Sequence, residues 1–199
     1  PPNLSALTWS TFIGGSNDDA CYSLKLDAGN VLFVTGGTNS FDFPVTAGSY
    51  NTAYGGGVAD GYILRIANNG SAILAGTYLG TSAYDQCYFI EIDNSNFVYV
   101  VGQTLGNYPV SNNVYVNPNT TQFIHKLNNT LTTSQFSTRF GSGASAVNIS
   151  PTAFLVDDCK NIYVAGWGGN VNQSHSPQTG TTVGMPVTPD ALKSTTDGS

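Results

Sequence analysis

The chain has 199 residues, of which 9% are charged, and its formal net charge is -6 at pH 7. Six Lys and Arg residues are too few to build a basic surface for phosphate groups, so we expect no nucleic-acid partner. No stretch approaches 18 consecutive apolar residues, and we expect no membrane insertion.

The first predicted elements form a β-hairpin near the N-terminus. After a short β-like run at residues 10–15, Tyr22, Leu24 and Leu26 alternate with small or polar residues, which is the two-residue period of a strand. Residues 27–30 predict a turn in which Gly29 takes a positive φ, and residues 31–35 predict the returning strand.

Four sequence blocks then recur along the chain, and such self-similarity decides an architecture before any local pattern does. The blocks are STFIGG (10–15), GTYLGT (76–81) and STRFGS (137–142); DAGNVLFVTG (27–36), DNSNFVYVVG (93–102) and DDCKNIYVAG (157–166); FPVT (43–46), YPVS (108–111) and MPVT (185–188); YILRI (62–66) and FIHKL (123–127). The third unit contains an insertion within residues 167–184, and the chain stops before the fourth block returns. We therefore interpret the sequence as part of a longer protein.

The repeat predicts an all-β fold, a β-propeller fragment of about three four-stranded antiparallel blades. The predicted repeats span residues 1–70, 71–131 and 132–199, the last of them incomplete. A β-sandwich is the alternative, since it also has short strands and frequent turns, but it does not explain the recurrence of one strand order.

The repeated pieces STFIGGSNDD, DAGNVLFVTGGT, DFPVTAGSYNTAYGG and DGYILRI resemble the SBBP family of bacterial β-propeller repeats. Segments of the third unit are similar to large surface proteins of gliding bacteria, many of which are type IX secretion substrates. The resemblance implies secretion and an extracellular or bacterial cell-surface location. Two departures from the family pattern are Asn107, where Asp is expected, and Arg139, where an aromatic residue is expected.

Acidic turns at residues 17–19 and 157–158 are candidates for Ca²⁺, an ion that prefers several oxygen ligands. Neither turn has the spacing of an EF-hand, and turn hydrogen bonding alone explains Asp and Asn at such positions. We favour the turn interpretation and expect no metal site and no cofactor.

The sequence contains no recognisable catalytic motif, and we expect no enzymatic activity and no catalytic residue. The two histidines are His125, inside an apolar strand, and His175, in the insertion, and no Gly-x-Ser-x-Gly elbow is present. Because Leu64 is the counterpart of His125 in the first repeat, we expect His125 to pack within a blade.

The three cysteines are an odd number, so at least one thiol is unpaired. Cys21 and Cys87 occupy equivalent places in neighbouring repeats, too far apart for a disulfide, and both are predicted to be small buried packing residues. Cys159 is predicted to lie in a turn, where it is available to pair with a thiol outside this chain.

The insertion is the segment that we single out for ligand binding, because binding loops commonly project from rigid scaffolds. Its candidate residues are Trp167, Asn170 and His175, which combine aromatic and amide chemistry suited to a sugar or a peptide. The alternative is a loose connection in which Trp167 merely caps the blade.

Together these patterns favour a non-enzymatic structural or binding module, related to adhesion or motility. Its expected partners are other blades of the same longer chain, or another protein, covering open sheet edges, and a polysaccharide or surface protein as ligand. Two alternatives stay open: the scaffold part of a secreted propeller enzyme acting on glycans or peptides, with catalytic residues elsewhere, and an export substrate captured in a larger assembly.

Overall fold

The computed structural model of the chain describes residues 3, 5–144, 146–168 and 181–195. Within these residues the fold is all-β, with no helix and therefore none that is long and apolar enough to cross a membrane. The strands are β1 (Asp19–Leu26), β2 (Leu32–Thr38), β3 (Asp60–Ile66), β4 (Ile73–Leu79), β5 (Asp85–Ile92), β6 (Val98–Thr104), β7 (Gln122–Leu127), β8 (Ser134–Phe140), β9 (Ser150–Val156) and β10 (Ile162–Trp167).

The strands form three antiparallel sheets that pack face to face, as the blades of a propeller do. The sheets are ordered β1-β2-β3-β4, β5-β6-β7-β8 and β10-β9. Strand β5 contacts β1, β2 and β3 of the first sheet, while β9 contacts β5 and β6 of the second. The first strands β1, β5 and β9 thus follow one another along the inner side of the stack.

Among the described residues, two core clusters lie between sheets, while a third lies on the far face of the first sheet, where the loop between β2 and β3 covers it. One cluster joins the first and second sheets and includes Phe33, Ile63, Ile90 and Val100. Another joins the second and third sheets through residues such as Tyr99 and Phe154. The sheets consequently stabilise one another.

Sequence repeats and sheets are offset by one strand. Strand β4 lies in the second sequence repeat, yet it pairs with β3 and completes the first sheet. Strand β8 completes the second sheet in the same way. The equivalent segment at residues 10–15 is not a strand, because the described residues contain no third strand of a preceding sheet for it to pair with.

A β-bulge interrupts the first strand of every sheet at the same repeat position. The surplus residues are Tyr22, Tyr88 and Thr152, each of which lies between two residues that pair with consecutive partners on the second strand. A bulge bends its strand and increases the local twist. Its recurrence shows that the three sheets share this distortion as part of their design.

The glycine that ends the second sequence block is explained by this bulge. At Gly102, an added Cβ would lie 2.4 Å from the carbonyl oxygen of Gln86 on the bulged strand. The corresponding distances are 1.8 Å from Gly36 to the oxygen of Ala20 and 2.6 Å from Gly166 to the oxygen of Ser150. Only glycine permits the two strands to approach this closely.

The hairpin turn differs from the prediction in the residue that takes the left-handed conformation. Asn30 has φ 61°, and Gly29 is not in the positive-φ region. Asn96 (φ 62°) and Lys160 (φ 69°) occupy the same place in the other two hairpins. Asn tolerates this conformation better than other non-glycine residues because its short side chain bonds locally.

Candidate functional site

The structure places only part of the predicted ligand-binding insertion. Trp167 is the last residue of β10, is half-buried, and pairs with Ser150 of β9. Asn170 and His175 lie outside the described residues. A ligand-binding role for the three residues therefore stays a prediction.

The acidic turn at residues 157–158 is held by hydrogen bonds within the turn. Asp157 accepts hydrogen bonds from the backbone N–H of Asn161 at 2.8 Å and from its side-chain amide at 2.9 Å. These bonds hold the pKa of Asp157 below its ordinary value. Asp27 and Asp93 accept equivalent backbone bonds in the other hairpins, so the carboxylate at this position has a repeated structural role.

The acidic cluster at residues 17–19 likewise contains a structural carboxylate. Asp19 accepts a hydrogen bond from the backbone N–H of Gly15 at 2.8 Å, which ties the loop before β1 to the start of that strand. In the other two sheets the equivalent hydrogen bond runs from the backbone N–H of Thr81 to the side chain of Asp85 at 2.6 Å, and from that of Ser142 to the side chain of Asn148 at 2.8 Å. Among the described residues, no group of three or more His, Cys, Asp or Glu side chains is arranged to hold a metal ion.

His125 belongs to a buried hydrogen-bonded chain of three side chains. Its Nδ1 lies 2.8 Å from the hydroxyl of Tyr108, and its Nε2 lies 2.8 Å from the hydroxyl of Ser134. Burial lowers the pKa of His125 to about 3, so the ring is neutral at pH 7. Both ring nitrogens are thus hydrogen-bonded in the core, and the prediction that His125 packs within a blade is confirmed.

The cysteines occupy unlike surroundings despite their equivalent positions. Cys87 is fully buried, and an added Cβ at Gly61 of the neighbouring sheet would lie 2.5 Å from its sulfur. Cys21 is exposed, so the prediction that both thiols are buried is wrong for Cys21. The reason is that β5 faces the first sheet, whereas no described sheet lies against the same side of β1. All three cysteines, including the exposed Cys159, are free.

The exposure of Cys21 is part of a larger open apolar face on β1. Leu24 is 63% exposed, whereas its equivalent Ile90 on β5 is 2% exposed. Leu26 is also exposed. We call the side of β1 formed by Cys21, Leu24 and Leu26 the open face. It presents the same kinds of side chain that β5 buries against the first sheet.

The opposite end of the stack is open as well. Tyr163 on β10 is 53% exposed, whereas its equivalent Tyr99 is buried against the third sheet. Leu155, which pairs with Tyr163 across the sheet, is also exposed. Both ends of the described stack therefore carry uncovered apolar side chains.

A cleft of about 270 Å³ lies where β1 and β5 begin. Tyr22 forms part of it and stacks on Tyr88, with ring centroids 5.5 Å apart. Tyr84 also lines the cleft and donates a hydrogen bond to Gln86 at 2.6 Å. The sequence analysis did not predict this cleft. Tyr84 and Gln86 differ in residue type from their counterparts in the first repeat, and that difference could have indicated it.

Comparison with known proteins supports the repeat. Residues 76–109 match the family model for the SBBP β-propeller repeat, which confirms the resemblance for this stretch. The matched stretch includes the whole of β5 and β6, with the bulge and its glycine. No curated protein matches the chain. The three stacked sheets and this match together identify the fold as part of a β-propeller.

Proposed function

We propose that this chain is a non-enzymatic structural and binding module of a bacterial protein that is secreted or displayed at the cell surface. It contributes to adhesion or motility there. Further blades of a longer chain, or another protein, cover its open ends, and the completed module binds a polysaccharide or a surface protein.

The open face is the observation that carries the proposal. Burying an apolar side chain such as Leu or Ile contributes roughly 1.5 to 3 kcal/mol, so several exposed together on one strand favour association. Ile90, at the same repeat position as Leu24, is buried against the first sheet. The surface that fits the open face is therefore the side of another sheet of this kind. Open sheets also invite pairing along their edges.

The hydrogen bonds of the histidine and of the turn aspartates support a non-enzymatic role. His125 is neutral and fully hydrogen-bonded, and Asp27, Asp93 and Asp157 are occupied with turn backbone. The repeat match supports a structural or binding module, and the low charged fraction is the composition expected of an extracellular all-β protein.

Thiol labelling tests whether the open face is covered in a longer protein. The isolated 199-residue chain and the full-length protein are treated with a maleimide under native conditions, and each cysteine is followed by peptide mass mapping. We expect Cys21 and Cys159 to react in the isolated chain, because both are exposed, and Cys87 to be protected. In the full-length protein we expect Cys21 to become protected at least tenfold.

Cys159 and Cys87 serve as internal references in the same sample. Protection of Cys21 with continued reaction of Cys159 supports coverage by a further blade or partner. Equal labelling of Cys21 in both proteins would contradict the proposal.

A further inference from the structure

The second sheet departs from the first at two repeat positions that meet in one cavity. Asn107 stands where the first sheet and its loops have Asp42, and Arg139 stands where they have Tyr78. Both line a cavity of about 340 Å³ together with Asn119 and the threonines at 104, 120 and 121. Both departures change the charge in the same direction, since one removes an acid and the other adds a cation.

The guanidinium of Arg139 has no charged partner. Its Nη1 donates to the carbonyl oxygen of Gly106 at 3.4 Å, while its Nε is buried without a hydrogen-bond partner. The ion pairs among the described residues join Lys25 to Glu91 and Lys126 to Asp93, so no described carboxylate lies within 4.0 Å of Arg139. A buried donor without a partner is costly and calls for an explanation, and this donor belongs to a half-buried side chain that lines the cavity.

Holding the neighbouring loop does not by itself require a cation. In the first sheet, Tyr78 donates to the carbonyl oxygen of Ser40 at 2.7 Å and accepts the backbone N–H of Phe43 at 3.0 Å. Arg139 also bonds to the equivalent loop, at the carbonyl oxygen of Gly106, but it carries a positive charge that this bond does not require. The charge is therefore available to a ligand.

The remaining walls supply donors rather than acidic acceptors. Asn107 and Asn119 are exposed, and their side-chain amides make no hydrogen bond to described residues, so both amides can donate to a ligand in the cavity. The hydroxyls of Thr120 and Thr121 already donate to backbone carbonyls, at 2.8 and 2.9 Å. A cation flanked by two amides matches the needs of a group with several acceptor oxygens.

We infer that this cavity binds an oxyanion, carried as a sulfate ester or a carboxylate on an acidic polysaccharide. Arg139 is its charge partner, and Asn107 and Asn119 donate hydrogen bonds to it. The inference specifies the binding part of the proposed function and rests on it. Because the whole chain is negatively charged, general electrostatic attraction does not account for such binding.

Two substitutions that restore the residues of the first sheet and its loops test the site. Arg139→Tyr removes the charge and reinstates the residue that the fold already accepts at position 78, while Asn107→Asp places a carboxylate beside Arg139. Lys25→Gln removes one positive charge elsewhere and is the matched control. Binding of sodium sulfate and of sodium acetate is measured by calorimetry at constant ionic strength, with sodium chloride as the blank.

We expect wild type and Lys25→Gln to bind sulfate or acetate equally, and both cavity variants to lose at least about tenfold in affinity, the effect of losing one charge-assisted hydrogen bond. Parallel titrations with dextran sulfate, polygalacturonate and neutral dextran identify which group the polymer carries. Equal binding by all four proteins, or binding by none, would overturn the inference. Such a failure is distinct from failure of the proposed blade packing, because the Cys21 labelling experiment contains no anion.

Discussion

Truncating Ile90 to alanine removes three carbons from the interface between the first two sheets. Ile90 is 2% exposed and packs in one cluster with Phe33 and Val100. At about 0.8 kcal/mol for each methylene group, the lost transfer free energy is about 2.4 kcal/mol. The residual cavity raises the expected loss of stability to about 3 to 4 kcal/mol.

Leu24→Ala is the matched control, because Leu24 occupies the same repeat position on β1 but is 63% exposed. With most of this side chain already in water, we expect its truncation to cost under about 1 kcal/mol. The two substituted sites thus differ mainly in whether a neighbouring sheet covers the side chain, and much less in local structure.

Urea unfolding of the isolated chain, followed by far-ultraviolet circular dichroism and by tryptophan fluorescence, measures both losses. Coincident transitions from the two probes justify a single free energy of unfolding for each variant. If Leu24→Ala costs as much as Ile90→Ala, the open face is already covered in the isolated chain, and the reasoning from exposure is refuted.

Three further predictions concern the strands and turns. Gly102→Ala should destabilise the chain by about 2 kcal/mol or more in urea unfolding, because its Cβ would clash with the oxygen of Gln86 and the ring of Phe123; an unchanged midpoint would contradict the role given to the bulge. Lys160→Asn should raise the free energy of unfolding by about 0.5 to 1 kcal/mol, because Asn tolerates φ near 69° better than Lys does, and a lower midpoint would argue against backbone strain there. Burial, offset in part by the N–H of Gly55 and reinforced by the charge of Asp85, raises the pKa of Asp60 from about 4 to about 7. The folded chain therefore retains a proton that the unfolded chain releases, and stability should fall by up to about 4 kcal/mol as the pH rises from 4 to 7. Urea midpoints at pH 5 and pH 8 should show a smaller fall in Asp60→Asn, and an equal fall in both proteins would exclude Asp60 as its source.

The sheets could be predicted from the sequence because each repeat carries the same apolar spacing and the same turn aspartate. The left-handed residue of the turn could also have been found by comparing repeats. Gly29 was predicted to be left-handed because glycine is flexible, but its counterparts in the other repeats are Ser95 and Cys159. At the next position the first two repeats both have asparagine, Asn30 and Asn96. A backbone conformation common to all repeats is better predicted from an aligned position where the same residue type recurs than from the flexibility of one residue.

Features that depend on neighbours could not be predicted from a local pattern. Cys21 and Cys87 have the same setting within their strands, and only the presence of a sheet beside β5 separates a buried thiol from an exposed one. The cavity at Arg139 forms where loops at residues 104–107 and 119–121 meet the last strand of the second sheet. The departures at Asn107 and Arg139 are visible in the sequence, but their meeting requires the fold.

The one-strand offset between repeat and sheet affects both the duplication of repeats in the gene and the cleavage of the protein into fragments. A duplicated unit that starts at a repeat boundary brings the outer strand of its upstream neighbour, so each new copy is tied to the older one by backbone pairing as soon as it folds. Cleavage between residues 70 and 71 would separate β4 from its sheet, whereas cleavage within residues 80–84 would leave both four-stranded sheets whole. Proteolytic fragments and engineered chimaeras should therefore be stable when their ends follow the sheets and unstable when they follow the sequence period.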